Sequence, residues 1–127
     1  MQKSISILTV FVLILGIAFL VPADSKAEGD AAKGGEVYKS YCATCHGDSG
    51  KGDGIASAAL DPKPRDLSNA DYVSTLTDAH IKKIVTEGGG ANGMSATMPA
   101  WGGIIPEDDI NNIIAYIRAD ICKCTAK

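Results

Sequence analysis

Apolar residues recur at helical spacing near the end of the chain. Five isoleucines follow one another at steps of three, one, three and four residues: Ile110, Ile113, Ile114, Ile117 and Ile121. This spacing places all five on one face, because an α-helix has about 3.6 residues per turn. Pro106 suits the first turn of that helix, where a missing N–H does no harm. The pattern predicts an amphipathic last helix with a buried isoleucine face.

Two earlier helices are indicated by capping residues. Asp30 can cap a helix that runs through Tyr41, and Thr77 can cap another that stops at the glycines 88–90. Their apolar residues are Val37, Tyr38 and Tyr41 in the first helix, and Ile81, Ile84 and Val85 in the second. Residues 47–67 form a Gly- and Pro-rich loop with one helical turn near its middle. No segment shows sustained alternation of apolar and polar residues, so we predict an all-α fold with about four short helices and long loops.

An almost uninterrupted apolar run of seventeen residues, 5–21, lies near the start of the chain behind a basic residue. A short polar stretch with small side chains follows, which is the layout of a secretory signal peptide. We expect cleavage after Ala27, with Ala23 as the second candidate. An uncleaved anchor helix is the alternative, because this run is at the lower edge of what spans a bilayer. The prediction is a cleaved signal peptide over residues 1–27 and an exported domain over residues 28–127.

The charge and length of the chain exclude some classes of protein. Its 127 residues include 12 Lys and Arg against 15 Asp and Glu, a net charge of −3. A nucleic-acid-binding protein needs an excess of basic over acidic residues instead. Cleavage after Ala27 leaves 127 − 27 = 100 residues, enough for one domain with a modest core. A group that filled the middle of that core would help to stabilise it.

The motif that carries chemistry is Cys-Ala-Thr-Cys-His at residues 42–46. Cys-x-x-Cys-His attaches c-type haem: two thiols one turn apart bond to the two vinyl groups of a porphyrin, and the next residue offers an imidazole to the iron. A thioredoxin-like motif would need a preceding strand, and a zinc site a better second ligand pair than the C-terminal cysteines. A plain disulfide leaves His46 unexplained. We therefore predict one haem c, held by Cys42 and Cys45 and ligated by His46.

The sixth ligand of the iron decides what such a haem can do. The candidates are Met98, Met94 and His80. A methionine thioether favours Fe(II) and raises the potential, as an electron carrier needs. Met98 precedes Pro99 in a loop about fifty residues after His46, far enough along the chain to wrap to the other face of the ring. Methionine also serves as a core filler. We expect Met98 to be the ligand, ahead of Met94 and then His80.

Together these features resemble a class I monohaem cytochrome c over essentially the whole chain beyond residue 28. The matching pieces are Gly34-x-x-x-Tyr38-x-x-x-Cys42, the CATCHG attachment, Gly-Asp-Gly at 52–54, Pro-Lys-Pro-Arg-Asp-Leu at 62–67, Met-Pro-Ala-Trp at 98–101 and Ile113-Ile-Ala-Tyr-Ile-Arg118. The resemblance implies a small cytochrome c fold wrapped around one covalently bound haem, with the first and last helices crossing. It also implies that Gly34 allows close approach of these helices and that Tyr38 and Tyr116 pack at the crossing.

The resemblance also implies roles for residues around the haem. A proline carbonyl after the attachment motif accepts a hydrogen bond from the other ring nitrogen of His46, with Pro62 the better match and Pro64 next; loop stiffening alone is the alternative. Arg65 is expected to hydrogen-bond a haem propionate, or else to pair with a neighbouring aspartate. Trp101 is expected to donate its indole N–H to the other propionate, or simply to line the pocket.

Two features depart from the simplest family pattern. Cys122 and Cys124 lie beyond the last helix, and no histidine follows them, so a second haem is excluded. Thiols outside the cytoplasm are usually oxidised, so we expect a disulfide; a local bridge, a link to another subunit and a metal ion remain open. The glycine-dense stretch 88–93 is expected to make the Met98 loop mobile and so to weaken an iron–sulfur bond.

The prediction is an exported, periplasmic electron-transfer protein of a respiratory chain, not an enzyme. Its partners would be larger redox complexes, met transiently at the exposed haem edge, with no nucleic acid and no small-molecule substrate. The acidic balance favours a basic docking patch on the partner. Membrane contact is expected only if the N-terminal segment stays uncleaved. The alternatives are a haem enzyme or gas sensor with an open distal site, and a tightly bound haem subunit of a respiratory or dehydrogenase complex.

Overall fold

Helices make up the regular structure of residues 29–127, the part of the chain that this computed structural model describes. They run in the order α1 (Ala31–Tyr41), α2 (Ala43–His46), α3 (Ala70–Val73), α4 (Asp78–Ala91) and α5 (Glu107–Tyr116). A 3-10 helix, Ile55–Ala59, lies between α2 and α3, and a π-helical segment, Ile117–Ile121, continues α5. No strand occurs between residues 29 and 127. The all-α prediction is confirmed, with the four-residue helices α2 and α3 in addition to the predicted ones.

The N-terminal apolar run, the proposed signal peptide and its cleavage site all lie outside the described residues. Their assignment to residues 1–27 therefore stays a prediction. Between residues 29 and 127, no helix combines the length and the apolar character that crossing a membrane requires.

Both capped helices begin where their capping residues predicted. The Asp30 carboxylate accepts hydrogen bonds from the backbone N–H groups of Ala32 and Lys33, at 2.9 and 3.2 Å. The Thr77 hydroxyl accepts one from the N–H of His80 at 3.1 Å. These bonds satisfy N–H groups that the first turn of a helix cannot pair internally. Pro106 sits one position earlier than predicted, at the N-cap of α5 rather than in its first turn.

The first and last helices cross at close range. A Cβ atom added to Gly34 would overlap the backbone carbonyl of Asn112 in α5, so a glycine is required at this point. Beside it, the rings of Tyr38 and Tyr116 pack with centroids 5.4 Å apart. The Asn112 side chain accepts a hydrogen bond from the N–H of Asp30 at 2.7 Å. The crossing implied by the resemblance is therefore present, with both tyrosines in it.

The predicted isoleucine face of α5 forms much of the core. Ile110, Ile113, Ile114 and Ile117 are buried, and Ile121 in the π-helical segment is half-buried. They pack with residues from α1, α3 and α4, of which the most deeply buried are Tyr38 and Val73. The core does not close completely, because a cavity remains among these helices and the loops that join them.

Candidate haem site

The cavity has a volume of about 700 Å³ and is lined mostly by apolar side chains. It brings together the residues that the sequence marked for haem: Cys42, Cys45 and His46 from the attachment motif, with Met94 and Met98 from the loop after α4. His80 is exposed and does not line it. A large apolar cavity beside two thiols, an imidazole and a thioether suits a flat, mostly apolar group with a central iron.

The attachment motif folds into one tight turn. Cys42 ends α1 and begins α2, and the N–H of His46 donates to the carbonyl of Cys42 at 2.8 Å. This turn places both cysteines and the histidine on the cavity wall, as thioether attachment requires. Neither Cys42 nor Cys45 is in a disulfide, so both thiols are available for that chemistry. Burial raises the pKa of the Cys42 thiol to about 12.

His46 is oriented by a backbone carbonyl other than the expected one. Its Nδ1 lies 3.0 Å from the carbonyl oxygen of Arg65, so the prediction that Pro62 or Pro64 supplies the acceptor is wrong. The reason is the register of the loop, in which the N–H of Leu67 donates to the carbonyl of Gly50 at 2.6 Å. That pairing sets residue 65 beside the imidazole. Pro62 lines the cavity instead.

Met98 belongs to a loop that is bonded along the end of α4. The N–H of Gly89 donates to the Met98 carbonyl at 3.0 Å, and the N–H of Met94 donates to the Gly89 carbonyl at 2.9 Å. Further along, the N–H of Trp101 donates to the carbonyl of Val85 at 3.0 Å. Backbone hydrogen bonds of Gly89 therefore connect the Met98 loop to the end of α4, while the mobility expected of the glycine-dense stretch stays a prediction.

Comparison with known proteins agrees with this arrangement. The family model described as cytochrome C oxidase, cbb3-type, subunit III matches residues 29–117, which include the attachment motif and the Met98 loop. The chain belongs to this family of c-type cytochrome domains.

Relatives of the cytochrome include subunits of cbb3-type oxidases and cytochromes c6. It is 30% identical to the cbb3-type cytochrome c oxidase subunit FixP of Azorhizobium caulinodans over 76% of this chain, and it spans only 28% of the length of FixP. It is 32% identical to the cytochrome c6 of Picosynechococcus sp., over 91% of this chain and 92% of that protein. The solved cytochrome c6 of the diatom Phaeodactylum tricornutum matches with a TM-score of 0.51 and 26% identity, over 73% of this chain and 95% of that one. The predicted small cytochrome c fold is confirmed.

Two more predicted haem contacts lie at the cavity of the cytochrome. Arg65 lines it and lies over the ring of Tyr72, 5.1 Å from the centroid, and it forms no ion pair with the described residues. The surface salt bridge is therefore not the arrangement found. Trp101 lines the cavity and packs edge-on against Tyr41 with centroids 5.4 Å apart. Both side chains line the site, and their contacts with haem propionates stay a prediction.

At the C-terminal end of the cytochrome, Cys122 and Cys124 form a disulfide with each other. This is the local bridge among the alternatives that the sequence left open. Cys122 is buried in the core cluster, whereas Cys124 is half-buried. Neither sulfur lines the cavity.

Proposed function

We propose that this cytochrome is an exported one-electron carrier with a single haem c, which exchanges electrons with larger redox complexes. The observation that supports it best is a single apolar cavity lined by both the attachment motif and Met98. Cys42 and Cys45 would hold the haem through thioether bonds, and His46 and Met98 would ligate its iron. When bound, the haem supplies a reversible one-electron change in a pocket of low polarity.

The role of the Arg65 carbonyl is to hold His46 ready for the iron. As an acceptor for Nδ1, it favours the tautomer that carries the proton there and leaves Nε2 free as a ligand. Burial lowers the pKa of His46, and the bond to Arg65 offsets only part of that effect. The imidazole is therefore neutral at neutral pH, which is the form that binds a metal.

Met98 would complete the coordination through its thioether sulfur. Its carbonyl accepts a hydrogen bond from the N–H of Gly89, which connects the backbone of Met98 to α4. Arg65 and Trp101 would contact the haem propionates or close the pocket around them, and Pro62 would pack against the ring.

The test is the absorption spectrum of the haem-loaded protein in its ferric and ferrous forms, with Met98→Ala and Met94→Ala as the matched pair. We expect a weak far-red band in the ferric wild type, retained in Met94→Ala and lost in Met98→Ala, together with a lower midpoint potential in Met98→Ala. An unchanged potential in Met98→Ala would remove the ligand assignment. A high-spin ferric wild type without the band would instead indicate an open distal site and the enzyme or gas-sensor alternative.

A second candidate, favoured by the match to FixP, is a haem subunit bound permanently within a respiratory complex. FixP is by its name a subunit of a cbb3-type oxidase, and two large apolar side chains of this domain, Ile55 and Ile104, are 91% and 63% exposed. Native gel filtration of the periplasmic and membrane fractions distinguishes the two. A free carrier elutes as a small soluble protein, whereas a subunit elutes with the complex.

Export and processing are tested on the same material. We expect the mature protein to be periplasmic and to begin at Glu28, after cleavage at Ala27. Intact mass and N-terminal sequencing measure both points. A chain that keeps its first residues and sediments with membranes would support the uncleaved anchor instead.

A further inference from the structure

Arg118 is a charged residue that is 8% exposed, in a domain whose other charged side chains lie mostly at the surface. Its guanidinium donates through Nε to the Asp78 carboxylate at 2.9 Å and through Nη1 to the carbonyl of Val73 at 2.9 Å. Nη2 donates to the carbonyl of Leu76. All three acceptors belong to residues 73–78, the segment that joins α3 to α4. One side chain from the end of the last helix therefore holds this whole segment.

The segment that Arg118 holds is a wall of the haem cavity. The side chains of Val73 and Leu76 line the cavity, and so does Ile117, the neighbour of Arg118. Between the last residue of α3 and the first of α4, residues 74–77 form a turn, and the bonds from Arg118 to the carbonyls of Val73 and Leu76 tie this turn to the last helix. Charge-assisted hydrogen bonds of a planar guanidinium are strong and directional. The position of this wall relative to the last helix thus depends on Arg118.

The C-terminal tail, residues 122–127, closes over Arg118. The N–H of Cys124 donates to the Arg118 carbonyl at 3.0 Å, and Nη1 of Arg118 lies 3.6 Å from Sγ of Cys124. The N–H of Lys127 donates to the carbonyl of Ser74 at 2.9 Å, so the tail also reaches the segment that Arg118 holds. The chain turns back at Lys123, whose φ of +51° is unfavourable for a side chain with a Cβ. The disulfide spans that turn and keeps it closed.

We propose that Arg118 is a positioning residue of the haem site and that the disulfide-closed tail keeps it in place. Arg118 touches neither the haem ligands nor the cavity; it acts through Val73 and Leu76. Without it, the wall moves, and the iron becomes more accessible to ligands from solution. This inference rests on the proposed haem site, but it concerns a different part of the chain.

The test uses the haem-loaded protein with Arg118→Met, Arg118→Lys and the double variant Cys122→Ser/Cys124→Ser. The control is Lys82→Met, which removes the exposed ion pair of Lys82 with Glu107, away from the cavity. Imidazole is titrated into the ferric protein and its binding followed by the shift of the main haem band. Amide hydrogen exchange, measured by mass spectrometry, reports on residues 73–78.

We expect Arg118→Met to bind imidazole about tenfold more tightly than the wild type, with a smaller gain in the double serine variant and none in the control. Arg118→Lys should fall between, because an ammonium keeps the charge but cannot bond all three acceptors. Faster exchange should be concentrated at residues 73–78. If Arg118→Met yields no folded protein, Arg118→Lys and the serine variant carry the test.

Imidazole affinities within twofold of the wild type in the folded variants would overturn the proposal, as would faster exchange spread evenly over the domain. Failure of the proposed function is a separate result. It would show in the wild type, as a missing far-red ferric band. Imidazole binding and exchange at residues 73–78 can still be compared among the variants in that case.

Discussion

Replacing Gly34 by alanine tests whether the close crossing of α1 and α5 holds this domain together. In the interior of a helix, alanine is ordinarily favoured over glycine by about 1 kcal/mol. Here the new methyl group would overlap the backbone carbonyl of Asn112, which cannot rotate away as a side chain could. The helices must separate, and overpacking of this kind costs about 3 kcal/mol. We therefore expect a net loss of about 2 kcal/mol in the free energy of unfolding.

Alanine substitutions at two other glycines serve as reference variants for Gly34→Ala. A Cβ at Gly35 would lie 3.1 Å from a ring atom of Tyr116, which can shift, so Gly35→Ala should cost less than Gly34→Ala. A Cβ at Gly103 would meet nothing within 4 Å, so Gly103→Ala should be close to neutral. The assay is denaturant unfolding of the haem-loaded protein, followed by far-ultraviolet circular dichroism. In a thermal scan, a loss of 2 kcal/mol corresponds to a melting temperature about 10 °C lower. A Gly34→Ala protein as stable as the wild type would refute the close crossing.

Three further predictions concern single substitutions. Tyr38→Phe should cost about 1–2 kcal/mol, because the phenol donates to the Gly47 carbonyl at 2.9 Å. Burial raises the pKa of Tyr38, so the stability contributed by its protonated phenol is present below about pH 10 and is lost at higher pH. Denaturant unfolding measured as a function of pH should therefore show a smaller loss of stability at alkaline pH in Tyr38→Phe than in the wild type. Gly88→Ala should weaken the ferric far-red band, because Gly88 has a φ of +82° beside the methionine loop. The Ser68 hydroxyl lowers the pKa of Asp66, so Ser68→Ala should raise it in an NMR titration.

The pKa of Asp66 also fixes the sign of a small stability effect. A carboxyl whose folded pKa lies below its unfolded value stabilises the fold above the unfolded pKa, and this contribution is lost as the pH falls through the folded pKa. Asp66 is exposed, so solvent screening keeps its effect small. Acid unfolding of Ser68→Ala should therefore begin at slightly higher pH than in the wild type. The same onset in both proteins would contradict the hydrogen bond as the cause.

Local sequence signals predicted the longer helices well. The caps at Asp30 and Thr77 act over three residues, and the isoleucine stripe of α5 repeats over three turns, so neither depends on distant contacts. The attachment motif is equally local, because one turn of chain brings its thiols and imidazole together. Features of this kind can be predicted from one sequence, since their physical cause lies within a few residues.

Short helices and loop register were not predictable in the same way. The helix α3 has four residues, too few for an apolar period, and its one signal is Asn69, whose side chain accepts from the N–H of Tyr72 at 3.1 Å. The acceptor for His46 depends on how the loop around Gly50 pairs with Leu67. That pairing is set by tertiary packing, and a shift of a few residues moved the acceptor from Pro62 to Arg65.

The role of Arg118 is also hidden in the sequence. Its acceptors Val73, Leu76 and Asp78 lie about forty residues earlier in the chain, and two of them are backbone carbonyls that any residue could supply. An arginine near the end of a helix ordinarily indicates a solvated surface. Only the burial of its guanidinium in the folded chain distinguishes this one.

The crossing of the first and last helices has a consequence for the order in which the molecule is assembled. The attachment motif directly follows α1, whereas the helix that packs across α1 begins only at Glu107. When the chain emerges with its N-terminus first, both thiols of the motif are therefore exposed before α5 has emerged. Covalent attachment of a haem at the motif can precede the packing of α5 across α1. Because α5 emerges last, the motif stays accessible while that attachment takes place.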